Sequence, residues 1–379
     1  MARLKIGLVL DDSLDKVDGV QQYVLIVGRW LTAQGHDVHY LVGETKRTDL
    51  PGMHSLARNV KVRFNKNRMA IPLPANLRAI RALLKREQFD VLHVQVPYSP
   101  ALAGRIIKAA DARTAVVGTF HILPHTKMVT LANKLLSRAV RGSLRRFDAI
   151  SPNTQATAKF ARDVFGANGP VIPLPLELDK FYHAKPFPRY KSGKTVVFLG
   201  RLVERKGCQY LLRAVAYAVK DGSWPKDARV VVCGGGHMQP ELEKYVLGHN
   251  LADIVEFTGH ISEEDKPSYL ASADAVVYPS TGGESFGIVL LEAMAASPGV
   301  VLGGNNPGYA SVMAPRPDSL FDPHDVPALA KKIVRYLADD KLRESANTWQ
   351  RRYIHEFDIP AVGAQILQLY EQALHKRRA

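Results

Sequence analysis

Two short segments carry the side chains best suited to hold a departing anion. Gly200-Arg201-Leu202-Val203-Glu204-Arg205-Lys206-Gly207 follows an apolar run, Thr195–Leu199, that reads as a strand. Arg201 and Lys206 emerge from the carboxyl end of that strand, where two cations can converge on one diphosphate. Further along, Gly283-Glu284-Ser285-Phe286-Gly287-Ile288-Val289-Leu290-Leu291-Glu292 follows a strand pattern ending at Tyr278 and opens a helix running to about Ala296. N–H groups at such a helix start have no partner of their own and suit a phosphate. Eight residues span a little over two turns, so Glu284 and Glu292 can face one side and accept hydrogen bonds from ligand hydroxyls. By residue type alone both segments also fit plainer readings: a charged surface loop, and an acidic first turn favoured by the helix dipole.

The first half offers a different set. Thr119-Phe120-His121 closes the strand pattern Ala115–Phe120 at its carboxyl end. A lone histidine is commonly structural, but this one sits where ligands bind in open α/β sheets. His125 and Lys127 follow in the same loop; Lys127 could meet a phosphate there, although on residue type alone both fit a solvated loop better. Asp18-Gly19-Val20-Gln21 forms the first βα loop. Gly19 there lets backbone approach a phosphate with no β-carbon in the way, although an ordinary turn glycine looks the same.

The elements that must position these residues alternate along the chain as apolar runs and helical patterns, the mark of parallel α/β architecture. Strands are expected over Lys5–Leu10, Asp37–Val42, Val60–Phe64, Val91–Val96, Ala115–Phe120, Asp148–Ser151 and Val171–Leu174. Four prolines between Pro173 and Gly193 mark a linker. A second series follows at Thr195–Leu199, Val230–Cys233, Val255–Phe257, Ala275–Tyr278 and Val300–Leu302. An amphipathic helix over about Pro360–Lys376, with Val362, Ile366, Leu369 and Leu374 on one side, closes the chain. Two Rossmann-like domains are expected, 1–175 and 194–355, with 176–193 linking them, 356–379 as a final helix, and a ligand cleft between the domains. The opening apolar run goes straight into Asp11-Asp12 with no small-residue cleavage site, so it reads as a strand and not a leader. With only Cys208 and Cys233 present, a reducing cytoplasm is the expected setting.

Charge is uneven. Residues 51–150 hold 18 Lys and Arg against 4 Asp and Glu, and residues 1–176 carry nearly all of the net charge of +15. No nucleic-acid motif accompanies this excess and aromatic residues do not interleave it, which leaves an anionic membrane or a phosphate-bearing acceptor as the expected partner, with a merely solvated basic surface fitting the charge equally. Within it, Asn76–Arg86 reads as a basic amphipathic helix, with Leu77, Ile80, Leu83 and Leu84 against Arg78, Arg81, Lys85 and Arg86. It fits a membrane surface and an ordinary crossover helix equally. Two phosphate-loop lookalikes fail. Ser192-Gly193-Lys194-Thr195 has Pro188 where the first glycine belongs, and Gly234-Gly235-Gly236 has Gln239 in place of the third. No Asp-x-Asp pair or Cys/His cluster points to a metal.

Taken together, the Gly-Arg-Leu-x-Glu-x-Lys-Gly loop and the downstream Glu-x7-Glu resemble the retaining GT-B glycosyltransferases of family 4, over essentially the whole chain. The resemblance implies a nucleotide-sugar donor with no further cofactor, and a closing helix that returns to the first domain. It implies that Arg201 and Lys206 hold the donor diphosphate, that Glu284 contacts the transferred sugar and that Glu292 binds ribose. By the same likeness the backbone of Ser285, Phe286, Gly287 and Ile288 caps phosphate and sugar, Gly19 and Gly200 lie at the donor, and Gly259, His260 and Ile261 contact the base. The Thr-Phe-His triplet and Gln21 are similar to those of lipid-directed mannosyltransferases, which sets His121 against the donor sugar and Gln21 at an inositol ring. The family pattern has two glycines in the first loop, and Asp18 here replaces the first. GDP-mannose and a phosphatidylinositol-like or other anionic lipid at the inner membrane face are the expected substrates, with no nucleic acid and a monomeric chain. A UDP-sugar with a soluble acceptor, or a non-catalytic nucleotide-sugar sensor, would share much of the pattern.

Overall fold

The computed structural model describes residues 2–15, 19–57, 59–64, 67–72, 75–121 and 127–378, with backbone alone for 59–64, 67–72 and 127–132. The chain divides into two compact units, Met1–Pro175 with Ile359–Ala379, and Leu176–Asp358.

In the N-terminal unit the strands are β1 (Lys5–Leu10), β2 (Asp37–Val42), β3 (Met53–Ser55), β4 (Asn59–Phe64), β5 (Asn67–Pro72), β6 (Val91–Gln95), β7 (Ala115–Phe120) and β8 (Ala149–Pro152). Six form a parallel sheet in the order β3-β2-β1-β6-β7-β8, while β4 and β5 pair antiparallel. The C-terminal unit contributes β9 (Lys194–Leu199), β10 (Ala228–Cys233), β11 (Val255–Gly259), β12 (Ala275–Tyr278), β13 (Val300–Gly304) and β14 (Leu320–Phe321), parallel in the order β11-β10-β9-β12-β13-β14. Both are doubly wound Rossmann orders. The chain reverses its winding beside β1/β6 and beside β9/β12, which makes the carboxyl ends of those strands the natural ligand positions. Near-continuous apolar strands such as Val230-Val231-Val232 are buried because helices cover both sheet faces.

Neighbouring residues of β6 point to opposite faces and do different work. Leu92 and Val94 join Ile80, Leu83 and Leu84 of the helix Leu77–Glu87 and Ile106 of the helix Leu102–Ala109 in one apolar cluster. His93 points the other way, to Tyr370 of the closing helix Ile359–Arg378. That helix lies against Gly19–Ala33. A β-carbon at Gly363 would come within 2.6 Å of the Trp30 ring, so only glycine allows this approach.

Two expectations need correcting, and a third element was open between two readings. Residues 171–174 form no strand, because Pro173 and Pro175 withdraw alternate N–H donors from any ladder. The stretch read as a linker is folded into the C-terminal unit, with a short helix Asp179–Tyr182, a 3-10 turn Pro188–Tyr190, and buried Phe181 and Tyr190. The apolar stripe of Leu77–Glu87 packs inward, so this is a crossover helix whose exposed face carries Arg78, Arg81, Lys85 and Arg86. Its outward surface is cationic and not greasy. No helix among the described residues is long and apolar enough to cross a membrane.

Candidate active site

At the carboxyl end of β9 the chain runs through Gly200 and exposed Arg201 into a 3-10 turn, Glu204–Lys206, then Gly207 and the helix Cys208–Lys220. Gly207 has φ +78, and a β-carbon there would run into the Pro279 carbonyl oxygen. Only glycine therefore permits the close seam between this loop and the one after β12. The seam is completed by Thr281 N–H, which donates to the Arg205 carbonyl at 2.9 Å, with Ser280 Oγ 3.0 Å from the same oxygen.

Glu284 sits in that seam. Its Oε1 lies 2.9 Å from Lys206 Nζ and 2.9 Å from Arg205, and accepts from Ser280 Oγ at 2.9 Å. Burial alone would raise its carboxyl, but the Lys206 and Arg205 charges and the Ser280 hydroxyl outweigh it and hold it below the ordinary carboxylate range. The side chain is thus an ionised, nearly covered acceptor bracketed by two cations.

The helix carrying Glu292 begins at Ile288, four residues beyond Glu284, after Gly287 at φ +108. Glu284 therefore lies just before the helix, as the sequence placed it, and the spacing to Glu292 is only partly helical. Glu292 instead lies buried against Lys266, 2.9 Å away. Burial pulls the Lys266 ammonium down, and Glu292 with Glu263 more than restores it. No side chain caps Ile288–Ala296 or Cys208–Lys220, in contrast to the helices capped by Asn76, Thr154, Asn306, Asp325 and Asp339. Both glycine-started helices open beside Lys206 and Glu284, which leaves first-turn N–H groups for an anion. Ser285 is half-buried and Phe286 buried in the loop between them.

Neighbouring loops extend the rim. Gly200 N–H bonds the Cys233 carbonyl, Leu202 N–H the Gly235 carbonyl, and Gly234 N–H the Gly259 carbonyl. Exposed His260 lies so close that a β-carbon at Gly235 would meet its Nε2 at 2.8 Å, with Ile261 following it. The triglycine that failed as a dinucleotide fingerprint serves here as close-packed backbone between two loops.

The corresponding rim of the N-terminal unit is neutral. His121 is buried, its Nε2 2.6 Å from Gln95 Oε1, with Tyr23 edge-on at 4.8 Å. Gln95 donates to the His93 carbonyl at 3.3 Å, which leaves Oε1 as the acceptor and makes His121 Nε2 the donor. His121 Nδ1 is then an acceptor, buried and without a partner among the described residues. Burial, with His93 adding to it, drives the His121 imidazole down to about 3, and burial does the same to His93. His93 bridges Tyr370 and Thr119 at 2.7 Å each. Val96, directly after Gln95, has φ +61, a strained backbone for a β-branched residue and one found where a site is held under constraint. Gly19 opens its helix with open space where a β-carbon would stand. Gln21 is buried and donates to Asp12 at 3.1 Å. Asp18, His125 and the Lys127 side chain lie outside the described residues.

Sequence reasoning missed Arg205, Ser280, Lys266, Gln95 and Tyr370. Arg205 was visible beside Lys206 and Ser280 four residues before Glu284; the other three reach their partners from distant segments.

The chain matches the family model for glycosyltransferase family 4 over residues 17–180 and that for glycosyl transferases group 1 over residues 179–352. It is 31% identical over 377 residues to the phosphatidyl-myo-inositol mannosyltransferase of Mycolicibacterium smegmatis, covering 97% of this chain and 94% of that one. The chain belongs to the GT-B glycosyltransferases of family 4. A GDP-mannose-dependent alpha-(1-6)-phosphatidylinositol monomannoside mannosyltransferase of Mycobacterium tuberculosis is 26% identical over 356 residues, 88% of this chain and 89% of that one. A glycosyltransferase structure from Rickettsia africae superimposes with a TM-score of 0.78 at 17% identity, covering 99% of each chain, which supports the fold alone. As a family 4 member the protein is an enzyme, a hexosyltransferase, with the charged rim around Glu284 in the half matched by the group 1 model.

Proposed function

We propose that this glycosyltransferase moves mannose from GDP-mannose to a phosphatidylinositol-like or other anionic lipid, with retention of anomeric configuration. The observation that carries the donor half is the cluster of Lys206, Arg205 and Glu284 beside two glycine-started helices. Departure of the nucleoside diphosphate builds negative charge, and fixed cations with open helix N–H groups stabilise it without a metal. Arg201 and Lys206 take the diphosphate, with Gly19 and Gly200 allowing close backbone approach. Glu284 orients the sugar hydroxyls and Glu292 the ribose. The backbone of Ser285–Ile288 caps phosphate and sugar, and Gly259, His260 and Ile261 meet the base.

No carboxylate is assigned as a covalent nucleophile, so the acceptor hydroxyl attacks on the face the diphosphate leaves. The anomeric C–O bond to phosphate breaks as the new one forms, and the hydroxyl proton passes to the departing phosphate oxygen. Neutral His121 acts on the sugar as a hydrogen-bonding group and not as a charged acid. Gln21 and Lys127 serve the acceptor. The cationic faces of the N-terminal unit hold the enzyme on an anionic inner membrane surface as a peripheral, monomeric protein.

Thermal protection across a panel of nucleotide sugars tests the donor. GDP-mannose should raise the melting temperature most. Transfer from labelled GDP-mannose to phosphatidylinositol in vesicles tests the acceptor. Protection and transfer by UDP-sugars alone would remove the mannosyl reading.

A further inference from the structure

The helix Lys127–Leu144 and the helix Gln155–Phe165 enclose a cavity of about 420 Å³ in the N-terminal unit. Its wall includes Ser137, Arg138, Arg141, Arg145, Phe165 and Asn168, and no lining residue is acidic. Arg138 and Arg141 fall at i and i+3 on one side of their helix, and Arg145 follows just past its last residue, its N–H still bonded to the Arg141 carbonyl. All three are exposed, and among the described residues none of them forms an ion pair. The nearby carboxylates are engaged elsewhere: Asp148 by Arg146 and Arg377, and Asp163 by Lys159. Like charges at this spacing repel, and an anion held in the open cavity between them would relieve that repulsion. One turn before Arg138, Leu135 is 58% exposed, one of very few large apolar side chains so placed among the described residues.

We propose that this cavity is a binding site for the phosphate headgroup of an anionic membrane lipid, with Arg138, Arg141 and Arg145 around the phosphate and Leu135 turned to the apolar edge of the bilayer. Three guanidinium groups around one cavity suit a phosphodiester. The volume lies in the range of small-molecule pockets and admits a headgroup larger than a bare anion. An exposed leucine beside the arginines favours a lipid over a soluble phosphate, since a dissolved anion gains nothing from it. The site differs from the acceptor position assigned to Gln21 and Lys127. It rests on the reading that the enzyme works at a membrane, and not on which sugar it transfers.

Sedimentation of the full chain with phosphatidylcholine vesicles, with and without phosphatidylglycerol and with no donor or acceptor present, tests this. The triple change Arg138→Gln, Arg141→Gln, Arg145→Gln should lower affinity for the anionic vesicles by about five-fold per arginine, on the order of a hundred-fold in all. Lys191→Gln, Lys220→Gln, Lys226→Gln, which removes equal charge from exposed positions of the C-terminal unit, should change it far less. Ser137→Trp fills the cavity without altering charge and should also weaken binding. If both the triple arginine variant and Ser137→Trp bind as the wild type does, the pocket is overturned while membrane binding stands. If the wild-type chain ignores anionic vesicles, the membrane reading falls with it. Inorganic phosphate, titrated calorimetrically, should bind only weakly; tight, arginine-dependent binding of phosphate with no vesicle effect would replace the lipid with a soluble anion.

Discussion

The two units share one strand order and yet present opposite electrostatics at the same topological position. Beyond β9 and β12 the C-terminal unit holds ionised groups in contact, Lys206, Arg205 and Glu284. At the strand ends of the other sheet, the N-terminal unit holds a neutral chain of hydrogen bonds through Tyr370, His93 and Thr119, with His121 on Gln95 beside it. Topology fixes where a ligand can approach, and side chains fix which charge it can carry. A rim of cations and open N–H groups suits a leaving diphosphate. A rim of oriented neutral dipoles suits hydroxyl groups, whose positions matter more than their charge.

The contrast is tested most severely at the charged rim. Lys206→Ala and Glu284→Ala should each lower kcat by about a thousand-fold, as loss of one preorganised charge does, with the circular dichroism spectrum unchanged. Because the residues act as a pair, the double variant should be little worse than either single one. Full activity in either would end the assignment. At the neutral rim the effect should be smaller: His121→Ala should cost on the order of a hundred-fold in kcat, as loss of one oriented hydrogen-bonding group does. His121→Gln should recover part of it, and the wild-type pH profile should show no limb near 6.5 from His121.

Acid should separate the two units. Folded His93 and His121 titrate at about 3, whereas the unfolded chain takes up these protons near 6.5. Between those values the unfolded state binds more protons, so the N-terminal unit should lose stability as pH falls from 6.5, by about 1.4 kcal/mol per pH unit for each histidine. Glu284 is held below its ordinary value of 4.5. Its contribution is complete above that value and is lost only as pH falls towards the depressed one. Hydrogen exchange across an acid series should therefore show the N-terminal unit opening first, and simultaneous opening would contradict the contrast. The smallest effect is expected at Gly207→Ala, where positive φ and the Pro279 carbonyl should cost about 1–3 kcal/mol of stability in the C-terminal unit, read from its melting temperature.

Much of this molecule was legible in its sequence. Strands such as Lys5–Leu10, Asp37–Val42, Ala115–Phe120 and Ala275–Tyr278 fall where the apolar runs placed them, because a strand buried on both faces must be continuously apolar. The loop of Arg201 and Lys206 and the loop of Glu284 were legible for a similar reason: glycines and charges stand together in short contiguous stretches directly after strands. Tertiary structure alone decided who partners whom. Glu284 meets Lys206 because β9 and β12 are neighbours in the sheet, which their separation along the chain hides. Likewise Glu292 turns to Lys266, and His93 finds Tyr370 on a helix 277 residues away. Local pattern reports which backbone a segment prefers and which face it buries; the pairing of a buried polar group depends on which distant segment the fold brings beside it.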